Sequence, residues 1–307
     1  MVALLFPGQG AQEVGMGRDL AEAYPLAREI FERADEALGM PLSRIMWEGP
    51  AEELTATHNA QPAILAHSVA VHELVADRLG QVGLAAGHSL GEFSAHVAAG
   101  TVTFEDAVRA VRRRGELMFR SGEQRPGTMA AVIGLDDDVV ERVCREASEH
   151  DGVCVPANYN SPGQVVISGD VPAVERAMEG AKEAGARRAV PLNVSGAFHS
   201  PLMEVAESGL REHLGSVPFA APRFPVVSNV AAEPVSDPDE ARRLLVRQLT
   251  SPVRWAASMR TMREHGAERF AELGPGRVLA GLLRRVDRNA RVESVGSAEQ
   301  VKLFLEG

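Results

Sequence analysis

Gly87-His88-Ser89-Leu90-Gly91 sets one serine between small residues, at the junction of an apolar run, Val82 to Ala86, and a helical pattern, Glu92 to Ala99. A serine at a sharp strand-to-helix turn projects its hydroxyl, and the helix-head N–H groups favour a developing oxyanion. The pattern therefore predicts a serine nucleophile for acyl chemistry; the same residues also describe an ordinary surface serine between glycines. Such a nucleophile needs a base. Of the nine histidines, His67, His72, His96, His150, His213 and His265 fall in helical patterns and read as face or packing residues. His58 reads as a loop or helix-start residue. His88 adjoins the serine, but neighbours at an elbow point apart. His199 stands in the loop Ser195 to Met203, at a junction between two styles of sequence, where clefts form; its other reading is a cap for the following helix. No acid between Ser89 and His199 occupies an evident strand-end loop. The expectation is thus a Ser-His dyad, with the histidine oriented by a backbone or amide carbonyl. Gln9, in the loop Pro7-Gly8-Gln9-Gly10, is a candidate oxyanion donor beside the elbow's own amide, although Pro-Gly followed by Gly is also an ordinary turn.

These residues need a frame. Leu4 to Phe6 and Val82 to Ala86 read as buried strands, Leu20 to Leu38 and Ala63 to Leu79 as long amphipathic helices, and Phe104 to Phe119 as a further helix. The style changes near Gly127. Strands are expected at Thr128 to Ile133, Val153 to Ala157, Gln164 to Ser168 and Arg188 to Leu192, with helices at Asp136 to Glu149 and Val171 to Ala184 and a turn at Asn160 to Gly163. That order, βαββαβ, is the ferredoxin-like split unit. Afterwards the alternation resumes, with strands at Pro225 to Ser228 and Arg269 to Leu273, helices at Val253 to Glu264 and Val278 to Arg285, and a surface loop at Glu233 to Pro238. The fold class expected is α/β: a large α/β-hydrolase-like subdomain with a parallel sheet (residues 1–126 and 194–307) carrying an inserted small ferredoxin-like subdomain (residues 127–193).

Composition narrows the function classes. The 307 residues, 45% hydrophobic, suffice for a full core in one large domain or two modest ones. A net charge of −10 argues against nucleic acid as the main partner. No apolar run approaches the roughly 20 residues that span a bilayer, and the apolar start stops at Pro7-Gly8, too short for a signal peptide. Cys144 and Cys154 lack metal-ligand spacing and read as reduced packing residues of a cytosolic protein.

Assembled in order, the motifs resemble those of the malonyl-CoA:acyl carrier protein transacylases, which include stand-alone enzymes of fatty acid synthesis and acyltransferases of polyketide synthases. The resemblance spans the whole chain. It rests on Phe6-Pro7-Gly8-Gln9-Gly10, Asn59-Ala60-Gln61-Pro62-Ala63, Gly87 to Glu92, Arg113-Arg114-Gly115-Glu116-Leu117-Met118, Asn158-Tyr159-Asn160-Ser161-Pro162, Gly196-Ala197-Phe198-His199-Ser200 and Glu272-Leu273-Gly274-Pro275-Gly276. It implies that Ser89 carries the acyl group and that His199 is the base, oriented by the main-chain carbonyl of Gln248. It further implies that Gln9 and the amide of Leu90 form the oxyanion hole, and that Arg114 binds the malonyl carboxylate. Gln61 and Asn160 correspond to pocket-lining or supporting positions. A planar guanidinium suits the arginine role, since it grips a carboxylate through two parallel hydrogen bonds; Arg112 and Arg113 read as a solvated helix face. Phe198 beside His199, and Leu90 after the serine, resemble the malonyl-selective type, with a pocket that discriminates a methylene by about 1–3 kcal/mol.

The implied reaction moves malonyl from malonyl-CoA to the phosphopantetheine thiol of an acyl carrier protein, with no metal or redox cofactor and a monomer as the default state. Carrier proteins are usually acidic, so Arg187-Arg188 and Arg284-Arg285 are candidates for a basic docking surface. Two other readings share the same residues: an editing hydrolase that removes acyl groups from carrier proteins, and a non-catalytic docking scaffold.

Overall fold

A computed structural model describes all residues from Met1 to Gly307. Ten strands form two sheets. The first is built from β1 (Val2–Phe6), β2 (Val82–Gly87), β7 (Val226–Val227), β8 (Pro234–Val235), β9 (Arg269–Leu273) and β10 (Arg291–Val295), in the order β10-β9-β1-β2-β7-β8. All contacts in it are parallel except the last, β7 with β8. β1, with all five residues buried, is the unbroken apolar strand expected where helices cover both sheet faces.

The second sheet contains β3 (Gly127–Ile133), β4 (Cys154–Ser161), β5 (Gln164–Asp170) and β6 (Arg188–Pro191), in the order β4-β5-β3-β6 and antiparallel throughout. Helices Asp137–Ala147 and Val171–Glu183 pack on it around Val132, Val140, Val165 and Ala177. This is the βαββαβ arrangement, so the chain is α/β with a parallel-rich sheet and a separate ferredoxin-like one. Cys144 and Cys154 are free and buried in that core, their sulfurs 3.8 Å apart.

Strand register sets the site. Phe6 is level with Gly87 in the parallel pair β1/β2, and Ala86 is level with Val227 in β2/β7. The loops carrying Gln9, Ser89 and Asn229 therefore leave three adjacent strands at the same, carboxyl end, the edge where open α/β sheets bind ligands. Helices Thr57–Val75 and Phe104–Gln124 cross close by. A Cβ on Gly115 would come within 2.5 Å of the His58 Cα, and this close approach brings Gln61 and Arg114 together. Buried Glu272 receives the N–H groups of Leu279 (2.8 Å) and Ala280 (3.0 Å), satisfying the head of helix Val278–Val286.

Several local expectations need correction. The pattern Leu20 to Leu38 is two helices, Arg18–Ala23 and Pro25–Leu38, because Tyr24 takes the extended conformation a following proline imposes. The helix expected from Ala63 begins at Thr57 and carries Pro62 inside it. Pro62 has no N–H for the His58 carbonyl, and Arg112 donates to that carbonyl instead (3.3 Å). Asn160 and Ser161 belong to β4, leaving Pro162-Gly163 as the turn. The surface loop at Glu233 to Pro238 contains β8, paired with β7. His150 follows the helix Asp137–Ala147 rather than lying in it, and His265 caps the helix Trp255–Glu264. Helix Pro238–Arg247, β10 and helix Ala298–Glu306 were outside the expected elements; alternation in so short an edge strand is a weak signal. No helix is long and apolar enough to cross a membrane.

Gly87 and Gly91 are in mutual contact: a Cβ on Gly87 would lie 1.9 Å from the Gly91 carbonyl, and one on Gly91 2.3 Å from the Phe6 oxygen. Gly87→Ala is expected to cost at least about 1–3 kcal/mol of overpacking and to lower the thermal midpoint by several degrees. An unchanged midpoint would mean that backbone contact does not dictate the glycines.

Candidate active site

The turn between β2 and the helix Gly91–Ala98 is strained at one residue. Ser89 has φ 51°, a left-handed conformation that a non-glycine residue holds only when its surroundings impose it. The imposing group is Asn229: its Oδ1 accepts the Ser89 N–H (2.7 Å), and its Nδ2 donates to the Gly87 carbonyl (2.7 Å). The clamp presents the Ser89 hydroxyl to a cleft of about 300 Å³ that Gln9, Leu90, Arg114, Met118, Phe198 and His199 help to line.

His199 lies 2.8 Å from the Ser89 Oγ through Nε2, while its Nδ1 is 2.8 Å from the main-chain carbonyl of Gln248. A carbonyl only accepts, so Nδ1 carries the proton and Nε2 is free to accept from the serine. His199 is itself held in a left-handed conformation, φ 57°. Burial, then the positive charge of Arg114, push its pKa down to about 3, which keeps the imidazole neutral and able to take a proton.

Arg114 projects from the buried stripe of helix Phe104–Gln124 and is 1% exposed. It donates to Ser89 Oγ (3.0 Å), Gln61 Oε1 (2.8 Å) and Gln248 Oε1 (2.9 Å). Every one of these partners is neutral, and the Arg114 Nε–H is buried without any acceptor. Burial lowers its pKa to about 10, partly offset by Glu92, so the side chain stays a cation at neutral pH. A buried cation bonded only to neutral groups keeps its charge uncompensated, beside a serine hydroxyl.

The remaining expected residues take varied places. The Leu90 N–H, at the helix head, has no hydrogen-bond acceptor within the protein and is free to face an oxyanion. Gln9 borders the same cleft, its side-chain oxygen receiving the Thr57 hydroxyl (2.7 Å). Gln61, buried, bonds Arg114 and Thr57. Phe198 is buried on the cleft wall. Asn160 lies one step away, accepting from His88 Nε2 (2.8 Å), and His88 does not bond the serine. Arg112 departs from a solvated face: it is partly buried and bonds Asn59, the His58 carbonyl and Glu116. Arg113 makes a longer pair with Glu116 (3.6 Å). Arg187, Arg188, Arg284 and Arg285 are exposed, and Arg285 reaches Gln164, whose register partner Ile133 also pairs with Arg188.

Two residues escaped sequence reasoning. Asn229 lies 140 positions from the serine it clamps, and nothing local marks it. Glu92, 1% exposed, had a signal: it is the one carboxylate in the helix after the elbow. No group of three or more His, Cys, Asp or Glu side chains is placed to hold a metal.

Against known proteins, the acyl transferase domain model matches residues 3–302. The chain belongs to the acyl transferase domain family. Among its relatives, the malonyl CoA-acyl carrier protein transacylase of Bacillus subtilis (strain 168) is 44% identical over 305 residues, 99% of this chain and 96% of the relative. An acyl carrier protein S-malonyltransferase structure from Vibrio cholerae superposes with TM-score 0.94 at 42% identity, covering 98% of this chain and 99% of that one. A malonyl-transacylase solved in complex with a type II polyketide synthase acyl-carrier protein gives TM-score 0.94 at 42% identity, with 99% of each chain covered. Within the family architecture, the cleft described above opens at the carboxyl end of the parallel sheet.

The neutrality of His199 is directly observable. Its folded-state pKa lies below the unfolded 6.5, so as the pH falls below 6.5 the unfolded chain takes up the proton first and the stability that His199 contributes declines. The Cε1–H resonance of His199 is expected to keep its neutral-form shift from pH 8 to pH 5. A titration midpoint near 6.5 would contradict this electrostatic account.

Proposed function

We propose that the protein is a malonyl-CoA:acyl carrier protein S-malonyltransferase working through a malonyl-Ser89 ester. The observation that carries this reading is the buried Arg114 guanidinium, 3.0 Å from the Ser89 hydroxyl and bonded only to neutral groups. Family membership and the malonyl transacylases among the relatives agree with it.

In the first half-reaction the malonyl carboxylate pairs with Arg114, which sets the thioester carbonyl against Ser89. The Oγ–H proton passes to His199 Nε2 as Oγ bonds the carbonyl carbon. The resulting oxyanion takes N–H groups from Leu90 and from Gln9, each such donor being worth on the order of 10²–10³ in rate. The C–S bond then breaks, and the CoA thiolate leaves with the proton from His199. In the second half the phosphopantetheine thiol of the carrier protein gives its proton to His199 and attacks the ester, restoring the serine. The Gln248 carbonyl keeps the imidazole in the tautomer both halves require. Phe198 narrows the cleft beside the acyl group, which favours malonyl over α-substituted analogues. The exposed arginines at 187, 188, 284 and 285 supply a basic surface for an acidic carrier protein. Every side chain of the site belongs to one chain, so a monomer suffices.

The tests separate transfer from editing hydrolysis and from docking. Ser89→Ala is expected to abolish covalent labelling by malonyl-CoA, read by intact-protein mass spectrometry; stoichiometric labelling elsewhere would refute the nucleophile assignment. Arg114→Ala should reduce malonyl transfer by at least 10²-fold more than acetyl transfer, the loss of a buried charge-assisted pair; equal losses would make Arg114 structural. The malonyl-enzyme should discharge faster to carrier protein than to water, and net hydrolysis would overturn transfer.

A further inference from the structure

The transfer chemistry leaves the buried carboxylate beside the site unused. Glu92 stands in the first turn of the helix after the elbow, 1% exposed. One of its oxygens, Oε2, accepts from the Asn229 main-chain N–H (3.1 Å) and from Gln248 Nε2 (2.6 Å). Those two residues hold everything else in place. The Asn229 side chain clamps Ser89 and Gly87. Gln248 bonds the Ser89 carbonyl through Nε2 (3.1 Å), Arg114 through Oε1 and His199 through its main-chain carbonyl.

The polarity of a primary amide gives this network a direction. Nε2 only donates and Oε1 only accepts. An ionised Glu92, which only accepts, holds the Nε2 end of Gln248 toward itself, and Oε1 must then face Arg114. A protonated Glu92 keeps an acceptor oxygen for these donors but loses its charge, so it holds the Nε2 end of Gln248 more weakly; a turned amide would point donors at a cation.

We propose that Glu92 is a positioning residue for the acyl carboxylate: its ionised side chain orients the Gln248 amide, and through it seats the Arg114 guanidinium for carboxylate-bearing substrates. The proposal rests on the reading of Arg114 given above.

The surroundings make this seating sensitive to pH in the neutral range. Burial raises the Glu92 pKa to about 7, opposed by hydrogen bonds from Asn229, Gln248 and Ser228 and by the charge of Arg114. β1, β2 and β7 bring no ionisable side chain. Helix Phe104–Gln124 brings Arg114, whose neighbours Arg112 and Arg113 turn to Glu116. On the helix of Glu92 itself, burial holds His96 down to about 4. From helix Thr57–Val75, His67 bonds the Gly296 carbonyl, His72 pairs with Glu73, and His58 meets Phe119 edge to face. The adjoining loops bring His88, bonded to Asn160, and His199, held near 3. Glu92 is therefore the carboxylate of this network that burial brings toward the neutral range.

Ser89 loading from malonyl-CoA and from acetyl-CoA, measured between pH 5.5 and 8.5, tests the proposal. Both substrates share the CoA phosphates, so their difference isolates the carboxylate. The parent KM for malonyl-CoA is expected to rise on the order of tenfold as the pH falls through 7, while the KM for acetyl-CoA stays level. Glu92→Gln should fix the malonyl KM at the high value across the range, and Glu92→Asp, which keeps the charge, should restore the pH dependence. A parent malonyl KM that is flat with pH overturns the proposal without any variant. So does a Glu92→Gln enzyme that keeps the parent profile, or one in which both acyl groups suffer equally, as a purely structural role would require. Absence of Ser89 loading from either donor would instead remove the transferase reading beneath it. The thermal midpoint supplies a second readout: the folded-state pKa lies above the unfolded 4.5, so ionisation costs stability. The parent should lose stability relative to Glu92→Gln as the pH rises from about 4.5 to about 7 and run level with it above; curves parallel across that window overturn the ionisation on which the mechanism depends.

Discussion

The guanidinium of Arg114 keeps its charge although almost none of it reaches solvent, and its hydrogen bonds go only to neutral oxygens of Ser89, Gln61 and Gln248. Desolvating a cation costs several kcal/mol even after relaxation, so the surroundings must compensate. They do so with amide dipoles close in and one carboxylate, Glu92, further back. The compromise explains the neighbours. Nearer pairing with an acid would quench the charge, and a wholly apolar wall would drive it toward neutrality. Two glutamines at hydrogen-bond distance stabilise it without neutralising its charge.

The same cation acts on the histidine. Burial and then Arg114 keep His199 neutral, which is the state that the proposed proton transfer from Ser89 requires of it. Oppositely shifted groups thus sit within one network, an imidazole held neutral and a carboxylate raised toward neutrality, and Gln248 touches both. Separated environments for titratable groups in one cleft are the usual means of assigning acid and base roles.

All of this requires backbone that would not adopt its shape unaided. Ser89 and His199 both occupy left-handed conformations, and the elbow closes because Gly87 and Gly91 have no Cβ to collide. At Ser89 the strain is held by Asn229, delivered from the next strand of the parallel sheet at the same level as the elbow. A parallel sheet suits this purpose, since it gathers the carboxyl ends of strands that are far apart in sequence along one edge.

Much of this was legible beforehand, where the physics is local. The strand-elbow-helix pattern around Ser89, the loop that carries His199 and the alternation that marks the two sheets were recoverable because hydrophobic period and glycine spacing are properties of short segments; Arg114 was marked only by the resemblance of its motif to a known family's. Boundaries were less so: Pro25 splits a helix that periodicity alone would continue, and Pro62 sits inside one because Arg112 satisfies the carbonyl it abandons. The sequence by itself determined which chemical groups exist and in which elements they stand. Only the tertiary structure decided that Asn229 clamps Ser89, that Gln248, whose carbonyl the resemblance had assigned to His199, also bonds Arg114 through its side-chain amide, and that Glu92 stands behind them. Hydrogen bonds between residues more than a hundred positions apart depend on strand register and helix crossing, and burial sets the charge state of each group; neither is written in any short stretch of chain.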